Sequence, residues 1–145
     1  MPSIVRRPND LFRSGPCVEV KLWVPSYVNA ELAYQERPIP PPIDAIATID
    51  TGAHWSIIPN DAAARLGLTP LKTIKIMTPS HHRVECYQYR IRLLFSNGID
   101  VDTLAVGAPW PVQDDQTIVC SIGRDVLKHG LLIYNGLTNM FSLIF

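Results

Sequence analysis

The sequence predicts an all-β domain with one or two short helices. Three observations lead there: apolar and polar residues alternate with period two in segment after segment, stretches with a helical period are few, and 13 prolines punctuate a chain of 145 residues. That length fits one domain with a substantial core and would cramp two.

Residues 1–16 are polar with scattered apolar positions, a loose arm or an edge segment, so the domain proper is placed at 17–145. After the Gly15-Pro16 break, Cys17 to Val24 alternates as a half-buried strand does. Pro25 to Pro42 has no period and ends in Arg37-Pro38-Ile39-Pro40-Pro41-Pro42, which favours extended polyproline backbone and cannot donate ladder hydrogen bonds. It reads as a long hairpin loop, a stiff connector rather than an SH3-type ligand.

Ala45 to Ile49 is small and β-branched, a buried strand, and it runs directly into Asp50-Thr51-Gly52-Ala53. His54 to Ile58 reads as a further short strand. Pro59 to Leu66 reads as a short helix with Asn60 or Asp61 as its cap and Gly67 at the left-handed stop. Leu71 to Met77 and Arg83 to Leu93 alternate on either side of a turn-like Thr78 to His82, a long β-hairpin. Ser96-Asn97-Gly98 turns the chain into a strand at Ile99 to Val106, and Gly107 to Gln116 is a loop. Thr117 to Ile122 is a second apolar run, Gly123 to Gly130 a short helix with a glycine stop, and Leu131 to Tyr134, an Asn135-Gly136 turn and Met140 to Phe145 a closing hairpin.

Thirteen basic and thirteen acidic side chains cancel, which argues against a nucleic-acid footprint and against attachment to anionic membranes. No apolar stretch reaches membrane-spanning length and the N-terminus has no signal core, so the expectation is a soluble, cytoplasmic protein. Cys17, Cys86 and Cys120 are odd in number and widely spaced, which predicts free thiols. His81, His82 and Cys86 lack a further ligand at a familiar zinc spacing, so no metal and no cofactor is expected.

Chemistry concentrates at Asp50. A strand that delivers a carboxylate, a hydroxyl and a glycine beside a core must satisfy those groups or use them, and Asp50 is a candidate acid or base. Two apolar strands, one ending Ile49-Asp50-Thr51-Gly52-Ala53 and the other Ser121-Ile122-Gly123-Arg124-Asp125-Val126-Leu127 before a short helix, flank one hairpin. In that order of elements, over residues 17–145, the chain resembles the retroviral-type (retropepsin-like) aspartic proteases.

The resemblance implies a closed, barrel-like acid-protease fold and a set of roles. Asp50 would be the catalytic aspartate, Thr51 the residue whose hydroxyl braces paired active-site loops, and Gly52 the position where backbone meets substrate. Ala53 and His54 would follow along the substrate, and the hairpin from Lys72 to Leu93 would be a flap with its tip near Pro79 to His82, where Pro79, Ser80 and His81 would meet substrate. Two departures stand out: many viral members carry a carboxylate where this chain has His54, leaving Arg124 without its usual partner, and the tip lacks their glycines. Since the chemistry needs two carboxylates sharing a proton and the chain has one Asp-Thr-Gly, the resemblance implies a homodimer acting on a polypeptide, with Phe141 to Phe145 as a strand in need of a partner.

Arg124 and Asp125 read as a charge pair at a helix start, and Trp23 and Trp55 as packing residues. The competing function is a catalytically silent module of the same fold that binds extended peptides by strand addition. An actin-like phosphate loop at Asp50 would require two large domains, for which this chain is too short.

Overall fold

The computed structural model describes residues 1–78, 80, 82–109 and 117–145. Its barrel closes because one strand pairs on both sides. β2 (Cys17–Trp23) lies antiparallel to β3 (Ile43–Ile49) along one edge and to the end of β6 (Arg83–Phe95) along the other. The ring runs β2-β3-β8-β4-β7-β6 and back to β2, with β4 at Ser56–Pro59, β7 at Asp100–Ala108 and β8 at Ile118–Ile122. β5 (Lys72–Met77) hangs from β6 as the outer arm of a hairpin that leaves the barrel. Two pairings are parallel, β3 with β8 and β4 with β7.

Period two fills the interior. Val18, Val20 and Leu22 of β2, Ala45, Ala47 and Ile49 of β3, and Ile91, Leu93 and Phe95 of β6 all point inward and are buried. Each of the larger ones contributes about 2 kcal/mol by leaving water.

The termini build a second sheet, ordered β1-β10-β9 from Ser3–Arg6, Met140–Ile144 and Leu131–Asn135. Thus part of residues 1–16 is an edge segment: Ile4 is buried, and a four-residue helix α1 (Leu11–Ser14) buries Leu11. Asn139 ties this segment down, accepting from the Leu11 N–H at 2.6 Å and donating to Pro8 O at 2.5 Å. The expectation that Phe141 to Phe145 needs an outside partner is corrected here. β10 has β1 on one side and β9 on the other, and Phe141 and Leu143 are buried within the chain.

Other expectations change for local reasons. The loop from Pro25 to Pro42 contains a helix, α2 (Ser26–Tyr34). No residue of it is fully buried, and Val28 is among the few that lean on the core, so its sequence carries no amphipathic stripe. Its stop is equally silent: Glu36 takes the left-handed position at φ 53°, with the Glu36 and Arg37 N–H groups bonded back to Ala33 O and Leu32 O. α3 (Asn60–Arg65) has the expected Gly67 stop at φ 62°, closed by Gly67 N–H to Ala64 O and Leu68 N–H to Ala63 O. Its N-cap is Pro59, however, not Asn60 or Asp61, and no side chain caps it. β7 continues through Gly107 to Ala108, positions expected in a loop; the rest of that loop, 110–116, lies outside the described residues.

α4 is a single turn, Arg124–Leu127. Gly130 is not in the left-handed region; a Cβ there would meet Ile144 O at 2.6 Å, so glycine is required by close approach of β10. In the last hairpin Asn135 still pairs with Met140, and the positive φ falls on Asn139 rather than Gly136. No helix of the described residues is long and apolar enough to cross a membrane.

Glu36 holds a conformation that favours glycine. Glu36→Gly is therefore expected to stabilise α2's end, raising stability by about 1 kcal/mol in urea denaturation, with local amide exchange over 26–36 slowed.

Candidate active site

Asp50 stands where β3 leaves the barrel. Its N–H donates to Ile122 O at 2.9 Å, extending the parallel β3–β8 pairing by one step beyond Ile49 and Ile122. The chain then turns back on the carboxylate. Asp50 Oδ1 accepts from Gly52 N–H at 2.9 Å and Ala53 N–H at 3.2 Å, so one oxygen is fixed by backbone. The side chain is exposed rather than embedded in a core, and these two donors answer the need for satisfied polar groups. A side chain at Gly52 would press on that oxygen, with a Cβ 3.2 Å away.

The far end of the chain grips this loop from behind. Arg124 Nη1 donates to Thr51 O at 2.8 Å and Gly52 O at 3.0 Å; Arg124 N–H donates to Ala53 O at 2.9 Å and Asp125 N–H to His54 O at 3.1 Å. Four successive carbonyls are thereby held by two residues. Gly123 makes the approach possible, since a Cβ on it would lie 2.6 Å from the carbonyl carbon of Trp55. The missing carboxylate at His54 leaves Arg124 with carbonyl acceptors instead, and His54 stacks on Trp55 with ring centroids 4.7 Å apart.

Arg124 and Asp125 do not form the expected charge pair. Asp125 is buried, 8% exposed, and its oxygens accept from Ser56 Oγ at 2.9 Å and Thr103 Oγ1 at 2.7 Å. Ser56 Oγ in turn accepts from Gly123 N–H at 3.1 Å. This network locks α4 to β4 and β7, and its sequence signal was two hydroxyl residues in strands, Ser56 before Ile57-Ile58 and Thr103 between Val101 and Ala105 on one strand face.

A cleft of about 1070 Å³ opens over Asp50. Gly52, Ala53 and Ile57 line it beside the carboxylate, and Ile76, Met77 and Val84 line it from the β5–β6 hairpin. Asp50 is the one acidic side chain among the described lining residues. Thr51 is exposed, and its hydroxyl has no hydrogen-bond partner among the described residues. Of the three residues expected at the hairpin tip, Pro79 and His81 lie outside the described residues; Ser80 is exposed with its Oγ 2.9 Å from Thr78 Oγ1.

Cys86 and Cys120 also line the cleft, and all three cysteines are free thiols. Burial pushes the Cys120 thiol up to about 12 and raises that of Cys86, so neither supplies a thiolate nucleophile at neutral pH.

The chain has the retropepsin-like fold. It superposes on a retropepsin-like aspartic protease from Rickettsia conorii with a TM-score of 0.53 at 13% identity, covering 97% of this chain and 89% of that one. It is also similar to the EIAV protease in complex with an inhibitor, with a TM-score of 0.50 at 17% identity over 81% and 89% of the two chains. No family model and no curated relative matches the sequence.

Asp125→Ala strands the hydroxyls of buried Ser56 and half-buried Thr103 and frees α4, and is expected to cost about 2–4 kcal/mol in urea denaturation. Asp125→Asn keeps an acceptor for one hydroxyl and an amide for the other, and should recover most of that loss. Cys120 keeps its proton in the folded chain well above the ordinary thiol range, while the unfolded chain releases it near pH 9. Its contribution is complete below pH 9 and is lost as pH rises toward 12, so wild-type stability should fall more steeply across that window than that of Cys120→Ala.

Proposed function

We propose that this chain is an aspartic endopeptidase that hydrolyses peptide bonds as a homodimer, with one site formed by two copies of Asp50. The observation that carries this reading is the Asp50 carboxylate, pinned by its own loop and the one acid among the described residues that line its cleft, in a chain of retropepsin-like fold. A strand-bounded cleft suits an extended peptide, whose backbone can pair with the hairpin above.

The mechanism follows from proton arithmetic. Two carboxylates at one site cannot both ionise cheaply, so the pair shares a proton. The ionised Asp50 removes a proton from water as the water attacks the scissile carbonyl carbon, and the protonated Asp50 of the second copy donates to the carbonyl oxygen. Collapse of the tetrahedral species expels the amine, which takes the proton the first Asp50 drew from water, while a hydroxyl on the tetrahedral carbon returns its proton to the second Asp50 as the carbonyl re-forms. The backbone donors at Gly52 and Ala53 hold one oxygen of each carboxylate in place through these exchanges. The Thr51 hydroxyl, unpartnered among the described residues, is suited to bonding with the second copy's loop, and the β5–β6 hairpin to closing over bound peptide as a flap.

Asp50→Asn preserves Oδ1 as acceptor for Gly52 and Ala53 but can neither take nor return a proton. Cleavage of a peptide library should fall to background while the thermal melt is equal or higher, because repulsion between two carboxylates is removed. Undiminished cleavage by Asp50→Asn would reject the reading. Wild-type dimer that binds peptides and leaves them intact would establish the silent peptide-binding module instead.

A further inference from the structure

The proline-rich connector, to which the Asp50 site gives no role, walls a second cleft. This cleft has a volume of about 740 Å³ and shares no lining residue with the one over Asp50. One wall is α2 with the flanking Pro25, Pro38 and Pro40; the other is the end of α3 and the turn that follows it to Leu71. Hydrogen bonds of the chain itself fix both walls. Trp23 Nε1 donates to Pro40 O at 2.7 Å, the Arg37 N–H to Leu32 O at 2.9 Å, the Leu68 N–H to Ala63 O at 3.0 Å and the Leu71 N–H to Gln88 O at 2.8 Å. The prolines add stiffness, so a ligand has little left to order.

The lining divides by chemistry. Leu66 is buried and Val28, Leu32 and Leu68 are half-buried, which gives the cleft an apolar floor. Arg37, Arg65 and Arg90 line it as exposed side chains from three places in the fold: the connector, α3 and β6. Glu31 is the one acid among the described lining residues, so three guanidiniums against one carboxylate leave a surplus of two positive charges. Those cations are poorly neutralised by the chain. Arg37 and Arg90 have no ion pair among the described residues, Arg65 reaches Asp61 only at 3.9 Å, and Glu31 accepts from Gln35 Nε2 at 3.2 Å rather than from an arginine. Cations gathered at one cleft repel one another, and an anion between them relieves that repulsion. A preformed cleft of about 300–1,000 Å³ with a mostly apolar lining and a few placed polar groups is the usual form of a small-molecule site.

We infer that this cleft binds a small amphipathic anion, a carboxylate or phosphate monoester on an apolar body, with the body on Val28, Leu32, Leu66 and Leu68 and the charge met by Arg37, Arg65 and Arg90. The donor fork of a guanidinium matches the oxygen spacing of either head group. Because the arginines are exposed, salt screens the head-group contribution and leaves that of the apolar body in place.

Amide chemical-shift titrations of the full chain with octanoate and with octyl phosphate test this site, compared with inorganic phosphate, 1-octanol and octylammonium. The better of the two anions names the head group. It should saturate with shifts confined to residues 24–40, 64–71 and 90, and bind at least tenfold more tightly than inorganic phosphate, which lacks the tail, and than octanol, which lacks the charge. Replacing both arginines, Arg37→Gln with Arg90→Gln, should weaken binding at least tenfold with the thermal melt unchanged, whereas Arg13→Gln should bind as wild type does. Added sodium chloride should weaken binding to wild type. Binding is read without peptide hydrolysis, so the outcome is independent of activity at Asp50. Octanol or octylammonium bound as tightly as the anions, affinity untouched by the double substitution or lost equally in Arg13→Gln, shifts centred on the Asp50 cleft, or no saturation by either anion at up to about 10 mM would each overturn the site.

Discussion

Everything at the site depends on the parallel pairing of β3 with β8 and on what the two strands become where they leave the barrel. One turns into the Asp50 loop and the other into the first turn of α4, and the second holds the first by its carbonyls. A loop rich in small residues would otherwise cost conformational entropy to order. Here that cost is offset by donors already fixed in a helix start, whose own orientation comes from the buried Asp125 with Ser56 and Thr103. The result is a carboxylate that is exposed yet held, a combination that suits a group meant to exchange protons.

Barrel and hairpin divide the remaining work. The closed ring has no edge to fray around the core, so β3 and β8 end at a fixed separation. The β5–β6 arm leaves the ring and carries its own edge, and the apolar residues Ile76, Met77 and Val84 that it brings to the cleft belong to a part with less packing beneath it than the barrel strands. Asp50 is the one acid among the described residues lining the cleft, and the acid–base chemistry proposed above needs a second carboxyl.

The strands were legible from their patterns: β2, β5 and β6 fall within a residue or two of where alternation places them, and β3 and β8 within two of where continuous apolar runs do. The end of β3 at Asp50-Thr51-Gly52 was legible as an abrupt change from apolar strand to polar loop. Three things were not. α2 lies on the surface, so it has no stripe, and Glu36 rather than a glycine ends it. Arg124 and Asp125 are adjacent opposite charges, which suggests a pair, but adjacent residues at a helix start point apart, and each found its partners elsewhere in the fold. The saturation of β10 depends on β1 folding back along it, a contact between the two ends of the chain that no local pattern encodes.

That last kind of contact has a kinetic meaning. Arg124 and Thr51 are 73 residues apart in sequence, and β8, which completes the ring between β3 and β4, is among the last strands of the barrel in chain order. Contacts of such separation form late and slowly, after many local turns are in place. During synthesis, the Asp50 loop would emerge from the ribosome long before its brace does. A growing chain therefore carries the aspartate without the support that orients it until β8 and α4 have been made.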